Sequence, residues 1–131
     1  MSFLLDTSTL SEVLRAVPSP RLVRRLTAIP SGDRHTSVIT VSQLLVAARR
    51  EKDPRLMQDV VRLVASIRVA PYDLAAAQVF ARLRATEAAD GETDDVMVAA
   101  IAVAHDFTLV TRRTEAFSGY KQLRLENWID P

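Results

Sequence analysis

The chain has 131 residues, 48% hydrophobic and 25% charged, with no cysteine and a formal net charge of +1. That size and balance fit one ordinary globular domain with a real core. They exclude disulfides, thiolate chemistry and a cysteine zinc site, and they exclude a polycation that holds nucleic acid by bulk charge.

Phe3-Leu4-Leu5 predicts a short buried strand ending at Asp6. A helix follows, with Leu10, Val13, Leu14 and Val17 at helical spacing. It opens on Thr9-Leu10-Ser11-Glu12, the pattern of a capping box, and is closed by Pro18 and Pro20. A second helix runs from about Arg21 to Ile29 and stops at Pro30-Ser31-Gly32. His35 to Ile39 predicts the next strand. Thr40 then opens a helix that puts Val41, Leu44, Leu45 and Ala48 on one face, and Lys52-Asp53-Pro54 breaks it. Another amphipathic helix carries Leu56, Val60, Leu63 and Val64.

Ile67 to Ala70 predicts a third strand, closed by Pro71, and Asp73 to Ala88 a long alanine-rich helix that ends near Asp90-Gly91. Thr93 caps a helix that is apolar nearly all round from Val96 to Ala104, so that helix is expected to be buried. The same run is the longest apolar stretch of the chain and falls far short of a membrane span. Thr108 to Thr111 predicts a fourth strand, Arg112 to Gly119 a loop or turn, and Leu123 to Leu125 a last, edge strand. Strands alternating with helices predict a single α/β domain over residues 1–131. Its central sheet is mainly parallel, of four to five strands, flanked by helices. The start of the chain has no basic residue and an acid inside its apolar run, which predicts no signal peptide and a cytoplasmic protein.

Open parallel sheets build their sites at the carboxyl ends of strands. Asp6, with Thr7 and Ser8, sits at that end of the first strand, Thr111 ends the fourth, and Asp94 and Asp95 fall in the first turn of the buried helix. If the strands are neighbours, these groups converge on one cleft, where carboxylates repel unless a hard cation bridges them. A simpler reading makes Asp94 and Asp95 complements to the helix dipole. Asp6 is harder to explain that way, because an ionised group beyond a buried strand needs a partner.

These segments resemble the successive motifs of PIN-domain VapC toxins: Leu4-Leu5-Asp6-Thr7-Ser8, Ile39 to Leu45, Asp95 with Val98-Ala99-Ala100, Leu109-Val110-Thr111-Arg112, and the closing Leu125-Glu126-Asn127-Trp128. The resemblance implies a cleft of acids that holds Mg²⁺ or Mn²⁺ and hydrolyses RNA. It also implies a small VapB-like antitoxin as partner and a homodimer. The family's first acid falls on Asp6 and its third on Asp95, as metal ligands, with Asp94 assisting. Thr7, Ser8, Thr111, Arg112 and Arg113 are the expected substrate contacts.

Two positions depart from that pattern. The second acid falls on Gln43, whose amide has the carboxylate's shape without its charge, and which is left to orient water. Thr40-x-x-Gln43 is itself a capping box. The fourth position falls on Arg113, where the sign reverses. Four acids give about −4, whereas Asp6, Asp95 and Arg113 give about −1, and a hard divalent ion is held mainly by carboxylate charge. Metal affinity should therefore fall unless Glu92, Asp94 or Glu115 compensates. Two readings follow: a weakened Mg²⁺-dependent endoribonuclease toxin, or a catalytically silent PIN module that binds antitoxin or RNA. The silent reading permits an empty cleft or a salt bridge from Arg113. Among the remaining charges, Arg49-Arg50 and Arg82 with Arg84 are candidate contacts to RNA or to an acidic partner.

Overall fold

A computed structural model describes all 131 residues. Five strands, β1 (Phe3–Leu5), β2 (Arg34–Ser37), β3 (Arg68–Ala70), β4 (Thr108–Val110) and β5 (Arg124–Glu126), form one sheet in the order β3-β2-β1-β4-β5. Every neighbouring pair is parallel. Seven helices connect them: α1 (Thr7–Val13), α2 (Pro20–Ala28), α3 (Val38–Glu51), α4 (Pro54–Ala65), α5 (Leu74–Ala85), α6 (Thr93–Ala104) and α7 (Thr114–Phe117). None is long and apolar enough to cross a membrane.

Strand alternation sorts the core into two layers. Leu4 and Leu109 point to one face, among Ala76, Leu83 and the buried side of α6. Phe3, Leu5 and Val110 point to the other, among Leu10, Leu22, Leu44, Val60 and Trp128. As expected from its composition, α6 is buried through Val96, Val98, Ala99, Ala100, Ile101 and Ala102. The strand following β4 is the expected edge strand, placed one residue later, at Arg124–Glu126.

Several boundaries differ from the sequence expectation, most of them through a capping choice. Asp6, not Thr9, caps α1: its Oδ1 accepts from the Thr9 backbone N–H at 2.9 Å. The helix ends at Val13, and Val17 is 80% exposed rather than on its inner face. Glu12 accepts instead from the Ser19 backbone N–H at 3.0 Å and from Arg15 at 3.1 Å. Ser37 rather than Thr40 caps α3, accepting from the Thr40 N–H at 3.0 Å, so β2 stops two residues short of Ile39 and Gln43 is released from any capping box. Thr93 is the first residue of α6 and does not cap it. Its hydroxyl accepts from Arg84 at 2.9 Å. The span Arg112 to Gly119 includes the short helix α7, and α5 ends at Ala85, before Ala88.

Candidate functional site

The carboxyl ends of β1 and β4 lie side by side because Leu5 pairs with Val110. The Asp6 backbone N–H donates to Val110 O at 3.1 Å and Thr9 Oγ1 to the same oxygen at 3.0 Å. Beyond the strands the weave continues in side chains. Ser8 Oγ donates to Asp6 Oδ1 at 2.7 Å, accepts from the Arg112 N–H at 3.0 Å, and lies 3.4 Å from Thr111 Oγ1. Thr111 Oγ1 accepts in turn from the Arg113 N–H at 3.0 Å. Asp6, Thr7, Ser8 and Thr111 thus stand together at the ends of β1 and β4, with the backbone of Arg112 and Arg113 tied to them.

The first turn of α6 faces this seam with Asp94 and Asp95, and α3 contributes Gln43. Thr7, Ser8, Gln43, Glu92, Asp94, Asp95 and Arg113 line an open cleft of about 480 Å³ with no apolar side chain in its wall. Gln43 ties the cleft across: its Oε1 accepts from Thr7 Oγ1, and its Nε2 donates to Asp94 Oδ2 at 3.0 Å. Arg113 does the same on the other side. Its Nη2 lies 2.6 Å from Asp95 Oδ1 and its Nη1 3.3 Å from Asp95 Oδ2. Donating to Asp95 holds the guanidinium above its ordinary pKa against its partial burial, with the charges of Asp95, Asp6 and Glu92 adding to the effect. The ring of Phe117, 5.6 Å away, supports the guanidinium from below.

Arg112 is turned away from the cleft. It pairs with Asp130 at 3.2 and 3.3 Å and approaches the buried Glu12 at 3.6 Å. The Arg112 hydrogen bond holds Asp130 below the usual carboxylate range, with Asn127 assisting. For Glu12, burial works upward but is outweighed by Arg15, the Ser19 N–H and Arg112, so its pKa also lies low. Arg112 therefore fastens the loop that carries Arg113 to α1 and to the C-terminal tail. Neither Glu12 nor Asp130 stands at a spacing from Arg112 that marks the pair in the sequence. Of the three acids named as compensating for the missing charges, Glu92 and Asp94 reach the cleft wall and Glu115 does not.

These donors, as arranged, do not fit a divalent cation. Both oxygens of Asp95 are engaged by Arg113, Asp94 Oδ2 by Gln43, and Asp6 Oδ1 by Thr9 and Ser8. No group of three or more His, Asp or Glu side chains comes together at ligand separations, where six to eight oxygens, several from carboxylates, are what a hard cation demands.

The sequence matches the PIN domain family over residues 3–120. It is 32% identical to Toxin FitB of Neisseria gonorrhoeae, the match covering 97% of this chain and 99% of that protein. It is 33% identical to VapC ribonuclease Y4jK of Sinorhizobium fredii, covering 86% and 88%. The fold superposes on DNA-bound VapBC from Salmonella typhimurium with a TM-score of 0.87, at 25% identity over 98% of each chain. With a family match over most of its length and relatives aligned almost end to end, the chain belongs to the PIN-domain family, among its VapC-type toxins.

Proposed function

We propose that this chain is the toxin-class partner of a VapBC-type pair that engages RNA and a small VapB-like antitoxin while its own acidic site stays closed to Mg²⁺ and Mn²⁺. The observation that carries this reading is the two-point ion pair between Arg113 and Asp95. It places a fixed cation where a divalent ion would need free carboxylate oxygens, and Gln43 withholds the charge that would help to displace it. The antitoxin finds support in the VapBC complex that the fold resembles. It also finds support in an apolar hollow of about 250 Å³ between α1, α3 and α4, lined by Leu14, Leu44, Ala48, Leu56 and Val60, which suits an amphipathic segment. A homodimer in the cytoplasm accords with the family resemblance.

A second reading is the Mg²⁺- or Mn²⁺-dependent endoribonuclease, with Asp6 and Asp95 as ligands. It is favoured by Asp6 itself: this carboxylate is only 4% exposed, and both of its side-chain hydrogen bonds fall on Oδ1, which leaves Oδ2 for another partner. Incubating a mixed tRNA and ribosomal RNA pool with Mg²⁺ or Mn²⁺ separates the two. The closed-site reading expects no cleavage by the unmodified chain and cleavage by the double variant Gln43→Glu, Arg113→Asp. Metal-dependent cleavage by the unmodified chain, abolished in Asp6→Ala, overturns it in favour of the second reading.

A further inference from the structure

The two arginine pairs that stand out in the sequence have different fates. Arg84 is taken up by the fold: its Nη1 donates to Ala88 O at 2.9 Å and to Gly91 O at 2.6 Å, and its Nη2 to Thr93 Oγ1. Its guanidinium also lies 5.6 Å from the Phe80 ring. Arg82 is engaged by Gln122 at 2.9 Å. Arg49 and Arg50 are free. Together with Lys52 and Arg55 they stand exposed around the turn from α3 to α4, and none of the four enters an ion pair. Glu51 and Asp53 stand exposed in the same turn, so residues 49–55 carry four cations against two anions, a local net charge of +2 where the whole chain has +1.

The cleft cannot attract a polyanion by itself. Glu92, Asp94 and Asp95 outnumber Arg113 in its wall, and Arg113 is already neutralised by Asp95. The attraction has to come from cations nearby. A second hollow, of about 330 Å³, shares Gln43 and Asp94 with the cleft and is completed by Ser42, Val46, Ala47 and Arg50. Gln43, Val46, Ala47 and Arg50 follow the i, i+3, i+4, i+7 spacing of one helix face, so Arg50 stands about 10 Å along α3 from the cleft. Val46 is 45% exposed beside it. An apolar surface for a base next to an unpaired guanidinium for a phosphate suits a nucleotide better than the side chain of an acidic peptide.

We propose that Arg49, Arg50, Lys52 and Arg55, at the corner of α3 and α4, anchor the RNA backbone and lead the strand along α3 into the cleft. The inference rests on RNA being the ligand in the reading above. Affinity then comes from counterions released at this corner, while the acidic cleft contributes position only.

The test is fluorescence anisotropy of the full chain with a labelled single-stranded RNA of mixed sequence, about 12 nucleotides long, titrated between about 50 and about 200 mM salt. Arg49→Ala with Arg50→Ala should weaken binding and reduce the log–log salt slope by about 0.7 for each phosphate left without its cation. Arg24→Ala with Arg68→Ala removes the same charge from two exposed arginines outside any ion pair and should leave the slope unchanged. An unchanged slope in the corner variant, or an equal loss in both variants, overturns the proposal. So does a corner variant that keeps RNA but loses a polyglutamate peptide, which would assign the corner to an acidic protein. If the unmodified chain binds no RNA, the underlying reading falls as well.

Discussion

Arg113 grips Asp95 by both carboxylate oxygens, at 2.6 and 3.3 Å, on a side chain that is itself 52% exposed. The Asp95 side chain is only 17% exposed, but with its partner so open to solvent the pair contributes about 1 kcal/mol to the fold, yet it occupies oxygens that a metal would need. Arg113→Ala should therefore leave stability within about 1 kcal/mol of the parent. Combined with Gln43→Glu, it should gain a rise in melting temperature on adding Mn²⁺ that EDTA reverses, because a ligand bound only by the folded state stabilises it. The unmodified chain should show no such rise. Differential scanning fluorimetry reads both, and an equal rise in the unmodified chain would contradict the closed site.

Gln43→Glu alone sets a carboxylate where the amide now donates to Asp94 Oδ2 at 3.0 Å. Two carboxylates at that separation disfavour joint ionisation, so the folded pKa of the pair rises above its unfolded value. A group shifted in that direction favours folding at low pH and opposes it as pH rises. The variant should be less stable than the parent by about 1 kcal/mol near neutral pH, with the deficit shrinking towards about pH 5. Urea midpoints across that range are the measurement. A deficit that does not change with pH would mean that the new carboxylate has turned away from Asp94.

Ser37 presents α3 to the cleft, since its buried hydroxyl accepts from the Thr40 N–H at 3.0 Å and donates to Thr40 Oγ1. Ser37→Ala should cost about 1–2 kcal/mol in chemical denaturation. Val38, the first residue of the helix, is exposed and should tolerate Ala within about 0.5 kcal/mol. Equal losses at the two positions would show that the helix is held by packing rather than by its cap.

His35 lies in β2 with its ring 4.7 Å from that of Phe107 and with a buried Nδ1 that lacks a partner. Burial lowers its pKa, and the charge of Arg68 adds to this against the opposing influence of Asp33. The folded state thus favours the neutral ring. The unfolded chain takes up a proton near its ordinary value of about 6.5, so stability is full above that pH and falls below it. Denaturant midpoints at about pH 7.5 and about pH 5.5 should diverge in the parent and converge in His35→Phe. Parallel slopes in the two proteins would assign the pH dependence to other groups.

The order of elements and the cleft at the ends of the first and fourth strands were legible because they depend on local pattern: apolar triplets, proline breaks and acids just beyond strands. Helix starts were less so. Thr9, Thr40 and Thr93 each carry a credible capping pattern, but Asp6 and Ser37 lie at strand ends already fixed by parallel pairing, and the pairing decides which oxygen reaches the free N–H groups. The convergence of Asp6, Gln43, Asp94, Asp95 and Arg113 follows from the family resemblance. A salt bridge from Arg113 was one of the open readings, but its partner Asp95 and the bond from Gln43 to Asp94 were not visible, because both acids lie on another element. Arg112 shows the same limit, since its partners Glu12 and Asp130 lie on opposite sides of it in the chain.

The pairing of β1 with β4 also sets an order in time. Thr9 and the carbonyl of Val110 that it bonds are 101 positions apart, and the intervening chain must lay down β2, β3 and the helices α2 to α6 before they meet. Links of such long range form late and slowly. A ribosome that stalls before β4 releases a chain that carries every acid of the cleft and none of its geometry. The cleft is therefore without its shape until almost all of the chain exists, and the step that completes it is also the step that completes the fold.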